Sequence, residues 1–176
     1  VTYGFHPEEP LAEEVGKALV GYRPDRVEAV RFRPSYMPEN VHHLPDNEPF
    51  RITLAGTKEL RKFVRENYKS QFILEMHETP IEIDETKSIR SEPQFALLYP
   101  SFNVKLEKEF RAFARGCGEP IDITGGIPSA FPGYHSATID YYSNIKTKNG
   151  LKSLSKEQGT EFAKDLIDYL LVHYLP

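Results

Sequence analysis

His6 and Glu9, in "TYGFHPEEPLAEEV" (residues 2–15), stand with two residues between them where a short apolar run meets a helix-like segment. His-x-x-Glu is a spacing that presents an imidazole and a carboxylate to one metal ion. A further histidine, His77, ends the apolar run "QFILEMH". If that run is a buried strand, Glu75, His77 and Thr79 point to one face, and Met76 and Glu78 to the other. His6, Glu9 and His77 then form a two-histidine, one-carboxylate set. Catalytic zinc is held by three protein ligands with a fourth position left to water. Zinc held in this way lowers the pKa of its water and polarises a carbonyl. Glu75, two residues before His77, suits a carboxylate that orients a neighbouring imidazole.

Each of these residues also has a structural reading. A histidine at a strand end serves equally as a hydrogen-bonded packing residue. Glu8 and Glu9 suit the positive end of a helix dipole, with Pro10 in the first turn. Only the elements that carry them can bring the three residues together.

Those elements alternate along the chain. Residues 1–5 read as a short buried strand, and 9–21 as a helix with Leu11, Val15, Ala18 and Leu19 on one face. A strand over 27–33 stops at Pro34, and residues 34–50, with four prolines and two adjacent histidines, read as a long loop. Loops of that length are often functional. Thr57 is placed to N-cap a helix running to Tyr68, with Leu60, Phe63 and Val64 inward. Strands follow at 71–77 and 94–100, then a helix from Asn103 to Arg115 stopped by Gly116 or Gly118. The Gly/Pro-rich loop "TGGIPSAFPGYHS" leads into the strand "ATIDYY". A closing helix over 155–174 puts Phe162, Leu166, Tyr169, Leu170 and His173 on one side.

This order predicts an α/β fold: one domain over residues 1–176, with helices on both faces of a mostly parallel or mixed sheet. Ligands of such sheets sit where strands end. His6, His77 and the segment around Asp140 are therefore expected to meet.

Bulk composition narrows the function classes. The 176 residues suffice for one sizeable core, and 39% hydrophobic with 27% charged residues is ordinary for a globular chain. A formal net charge of −4 gives no electrostatic reason to bind nucleic acid. No apolar run reaches bilayer length and no basic-then-apolar leader precedes the first strand, so a cytoplasmic location without a membrane partner is expected. The single Cys117, between two glycines, excludes an internal disulfide and fits a reducing compartment.

"HPEEPLAEEVGKAL" resembles the HGNE/HGDEPLG opening of the succinylglutamate desuccinylase/aspartoacylase group, which is related to the zinc carboxypeptidases. "FILEMHET" resembles that group's strand ending D-L-H, and "ATIDYYSN" its later T-x-E strand. The resemblance implies a zinc carboxypeptidase/phosphorylase-hydrolase-like fold and one zinc ion per chain, bound by His6, Glu9 and His77. Asp140 stands where the family has its general-base Glu, which takes a proton and hands it to the leaving amine. "DNEPFRI" is similar to the family's D-x-D-x-N-R-[IF] segment, which puts Arg51 at the substrate-binding or carbonyl-polarising arginine; Phe50 replaces the Asn. A second arginine expected a few residues earlier is replaced by His42 or His43. Asp140 is one methylene shorter than Glu, roughly 1.5 Å of reach, and misplacement on that scale costs about 10²-fold in rate.

The other conspicuous side chains carry alternatives. Glu78 is either a substitute acid/base or a solvated strand-end charge. Tyr134 and His135 either line the pocket or belong to a turn; His42 and His43 either contact substrate or lie on the surface. His173 reads as a boundary residue of the last helix. Arg31 and Arg33 either hold an anionic substrate or form a structural ion pair.

The function expected is a zinc-dependent hydrolase that cleaves an amide of a small N-acyl amino acid or peptide-like substrate. Asp140 would manage the proton and Arg51 stabilise the oxyanion, with walls from the 34–50 and 124–136 loops. Two rivals stand beside it. One is a non-catalytic module binding a metal or small anion on the same scaffold. The other is a purely structural domain, for which removing His6 changes only local packing.

Overall fold

The computed structural model describes residues 1–41, 44–45, 47–68, 72–80, 95–100, 103–118, 121–123, 135–143, 145–147, 150–152 and 154–175. The apolar run after residue 71 forms the central strand β3 (Phe72–Pro80), following β1 (Thr2–Tyr3) and β2 (Val30–Arg31). β4 (Ala96–Tyr99), β5 (Ile121–Ile123) and β6 (His135–Ser143) complete a six-stranded sheet of order β2-β1-β3-β6-β4-β5. Neighbours are parallel except β4 and β6, so the sheet is mixed. β3 and β6 pair along their whole length, from Phe72↔His135 to Pro80↔Ser143. A small hairpin, β7 (Ile145–Thr147) with β8 (Gly150–Lys152), stands apart from this sheet.

Among the described residues, four helices cover the sheet: α1 (Pro10–Ala18), α2 (Glu48–Asn67), α3 (Val104–Cys117) and α4 (Lys156–His173). The period-2 alternation of β3 divides the core in two. Leu74 and Met76 join the larger cluster, with Leu11 and Val15 of α1, Leu106 and Phe110 of α3, and Phe162 and Leu166 of α4. Ile73 joins the smaller one, with Phe5, Met37, Val41, and Leu60 and Val64 of α2. Helices therefore lie on both faces, as the sequence predicts; among the described residues α2 is the helix on the Ile73 side. None of the described helices is long and apolar enough to cross a membrane.

Helix ends follow local chemistry. The Asn103 side chain accepts from Leu106 N–H at 3.0 Å, and Gly118, at φ +74°, ends α3 in the left-handed region. Ser155 and Gln158 form a capping box at the start of α4. Helix α1 comes unusually close to β1, because Gly16 lies directly over Tyr3: a Cβ there would sit 2.1 Å from Tyr3 Cγ.

Several sequence expectations are corrected. Helix α2 starts at Glu48, not after Thr57, and Thr57 is a buried internal residue. Pro49 does not break it, since the N–H groups of the first turn have no acceptor within the helix and the ring removes no helical hydrogen bond. The extra turns are held by tertiary contact: Ile52 packs on the Phe5 cluster, and Gly56 allows close approach to Phe5 and Pro34. The edge strand β2 has two residues instead of seven. The short β5 and the β7–β8 hairpin carry too few residues for periodicity to reveal them. On α4 the buried stripe is Phe162, Ala163, Leu166, Ile167 and Leu170; His173 is exposed, its ring 4.3 Å from that of Tyr169.

Candidate metal centre

The centre forms where β1 gives way to α1 and meets His77, which lies inside β3 and does not end it as the sequence suggests, because the pairing with β6 carries the strand on to Pro80. Gly4, at φ +74°, turns the chain out of the sheet, a conformation that favours glycine. Phe5 and His6 follow, and Pro10 opens α1. The His6 and Glu9 side chains are 4% and 3% exposed. His77 comes from β3, more than sixty residues away, and one donor atom from each of His6, Glu9 and His77 lies within 4.8 Å of the others. The imidazole centroids of His6 and His77 are 5.4 Å apart, and the Phe5 ring stands edge-on to both, at 4.8 and 5.7 Å.

Each nitrogen of His77 faces a carboxylate. Nδ1 is 3.3 and 3.2 Å from Glu9 Oε1 and Oε2, and Nε2 is 3.5 Å from Glu75 Oε2. Burial opposes the charged imidazolium, but Glu9 and Glu75 overcome it and raise the His77 pKa well above its ordinary value.

Two imidazoles and one buried carboxylate are a donor set that fits zinc. Ligands about 2.0–2.1 Å from a tetrahedral zinc stand roughly 3.4 Å apart, close to the Glu9–His77 separation. Glu75 behind Nε2 fits the pattern in which a ligating histidine donates its other N–H to a carboxylate.

Asp140 lies beside this set, because its Cα pairs with that of His77 in the β3–β6 ladder. Both carboxylate oxygens of Asp140 are 2.8 Å from Thr79 Oγ1, which donates to them. Burial raises the Asp140 pKa; Thr79 and His77 oppose this, while Glu9 and Glu78 add to it. Tyr99 on β4 also feels the site: burial first, then the Asp140 charge, makes its phenol harder to ionise.

The remaining candidates divide. Arg51 is exposed in the first turn of α2; among the described residues no hydrogen bond or ion pair joins it to His6, Glu9, His77 or Asp140. Arg31 and Arg33 form the structural ion pairs, with Glu13 at 3.1 and 3.2 Å, and Lys17 binds the same carboxylate at 2.8 Å. Glu78 is not a solvated charge but is buried against α1, accepting from Leu11 N–H and Ala12 N–H. Cys117 donates through Sγ to Ala114 O, a packing role. His42, His43, Tyr134, the His135 side chain and most of the 124–136 loop lie outside the described residues.

Sequence reasoning did not single out Phe5 or Tyr99, and it mentioned Thr79 only as lying on the face of His77. For Thr79 that parity was the available signal. Phe5 and Tyr99 carry no ligand chemistry, and only their neighbours reveal them.

No family model and no curated relative matches the sequence. Among solved structures, the chain is similar to a metallo-carboxypeptidase from Burkholderia cenocepacia, with a TM-score of 0.52 and 14% identity. That match covers 98% of this chain and 55% of the other, so the chain spans about half the length of that protein. A second similarity is to the CwlD amidase from Clostridioides difficile, solved in complex with the GerS lipoprotein: TM-score 0.47, 10% identity, 92% of this chain and 83% of the other. The first likeness identifies the architecture as a metallo-carboxypeptidase-like α/β fold, in agreement with the six-stranded mixed sheet.

Proposed function

We propose that the chain is a zinc-dependent hydrolase that cleaves the amide bond of a small N-acyl amino acid or peptide-like substrate. The observation that carries this reading is the convergence of His6, Glu9 and His77 donor atoms within 4.8 Å. The metallo-carboxypeptidase-like fold supports it, and so does the resemblance of the His6, His77 and Asp140 segments to the aspartoacylase group.

His6, Glu9 and His77 would hold the ion, and Glu75 would fix the His77 ring through Nε2. Bound there, zinc supplies Lewis acidity and a more acidic water. Asp140 takes the proton from the attacking water and delivers it to the amine nitrogen as the C–N bond breaks. Thr79 orients the Asp140 carboxylate by its hydrogen bond. Arg51, exposed in the first turn of α2, would bind the substrate or stabilise the oxyanion.

The second reading, a binding module without turnover, is favoured by two features of the sequence: Asp140 is shorter than the Glu of the related group, and the group's Asn and second Arg are replaced, by Phe50 and by His42 or His43. Zinc-loaded protein tested on a panel of N-acyl amino acids and short peptides separates the two. Turnover that disappears in Asp140→Asn, with zinc still bound, establishes the hydrolase. Stoichiometric zinc with no turnover of any member of the panel establishes the binding module.

A further inference from the structure

The N-terminus of α1 is capped by a residue that does not belong to it. Glu9 holds the N-cap position, yet its side chain makes no capping hydrogen bond. Pro10 has no N–H to satisfy, and Glu13 N–H already closes the first helical bond to Glu9 O at 3.1 Å. That leaves the amides of Leu11 and Ala12, the pair an N-cap side chain ordinarily takes. Both donate to Glu78 Oε2, at 2.6 and 3.4 Å.

Glu78 follows His77 directly on β3, so the two side chains leave the strand on opposite faces. His77 goes to the metal centre and Glu78 to the start of α1. Two adjacent residues of β3 thus supply both a candidate ligand and the acceptor for the helix whose N-cap carries another. Glu78 is 5% exposed, and water is a poor substitute for it there. A buried amide without an acceptor is costly. If Glu78 is removed, the carboxylate at the cap position, Glu9, is the one drawn to Leu11 and Ala12, away from His77.

We infer that Glu78 is a positioning residue of the metal centre: by taking the α1 amides it keeps the Glu9 carboxylate beside His77, 3.2 Å from Nδ1, in the ligand position. The inference rests on the metal reading proposed above and goes further, since it gives metal affinity a determinant outside the ligand set. The Glu78 carboxylate does this as an acceptor, and its charge is secondary.

The test compares wild type, Glu78→Gln and Glu78→Leu by zinc affinity, in competition with a chromophoric chelator, and by the visible absorption of the cobalt(II)-substituted protein. Glu78→Leu is expected to weaken zinc binding by about 10–100-fold, the range for residues that orient ligands. Its cobalt spectrum should shift as the Glu9 oxygen leaves. Glu78→Gln keeps a carbonyl acceptor for the two amides and is expected to restore both readouts close to wild type. If Glu78→Leu does not fold, Glu78→Asp takes its place, because its shorter carboxylate cannot reach the amides. A deletion variant with lowered thermal stability but unchanged zinc affinity and cobalt spectrum overturns the inference and leaves the proposed function standing. Glu78→Gln as weak as the deletion also overturns it, because charge and not capping then sets the affinity. A wild type that takes up no zinc or cobalt overturns both.

Discussion

Replacing His77 by Ala separates a metal centre from a group of structural histidines. The substitution acts twice. It removes one of three candidate ligands, and it takes the imidazole away from two buried carboxylates, Glu9 and Glu75. Breaking a buried pair costs about 3–5 kcal/mol, so the metal-free variant melts lower whichever reading holds. The discriminating quantity is therefore the shift that zinc produces in each protein. Free zinc at 100 times its dissociation constant stabilises a one-site protein by about 2.7 kcal/mol. At about 2–4 °C per kcal/mol for a chain of this size, the wild type should gain about 5–11 °C. His77→Ala, with two donors left, should show almost none of that gain at the same zinc concentration, and His6→Ala should lose it as well. Calorimetric melting of chelator-treated protein with and without zinc, with elemental analysis of the same samples, reads this directly. An absent shift in the wild type, or an undiminished one in both variants, would falsify the assignment of His6, Glu9 and His77 to one ion.

Two further outcomes follow from the fold around the site. Gly16→Ala places a Cβ 2.1 Å from Tyr3 Cγ; overpacking of this kind costs about 1–3 kcal/mol, and lifting α1 off β1 moves Glu9. A lower melting temperature should therefore come with weaker zinc binding, and a variant that loses stability but keeps full zinc affinity would show that α1 does not set the position of Glu9. Glu13 is held below its ordinary pKa first by the Lys17 hydrogen bond, then by Arg31, against the opposing effect of burial. A depressed carboxylate stabilises the fold above its unfolded pKa and ceases to do so as pH falls through the lower folded value. Glu13→Gln should cost about 0.5–1 kcal/mol at neutral pH, its cationic partners being solvent-facing, and the difference from wild type should shrink as pH falls below the ordinary carboxylate pKa and vanish below the lowered folded value. A difference constant with pH in chemical denaturation would assign the cost to packing.

Much of this molecule is legible in one dimension. The apolar run before His77 is a buried strand because Phe72, Ile73, Leu74 and Met76 put apolar side chains on both faces, and both faces are covered. Asn103 and Gly118 bound α3 because an Asn side chain accepts an orphan amide and glycine takes positive φ without a Cβ penalty. The spacing of His6 and Glu9, and His77 at the close of an apolar run, already pick out three residues whose donor atoms the fold brings within 4.8 Å of one another.

What the sequence left open is whatever depends on contacts between distant segments. Helix α2 begins nine residues before Thr57, because Ile52 and Gly56 find the Phe5 cluster and Pro34, neither of which is close in sequence. Glu9 reads as a helix-start charge and Glu78 as a strand-end one, yet the tertiary structure reverses their duties. Glu78 caps α1 across the β3–α1 contact, and Glu9 turns to His77. Local chemistry allows a carboxylate at either place to accept from an amide or to face an imidazole. Only the approach of β3 to the first turn of α1 decides which carboxylate does which.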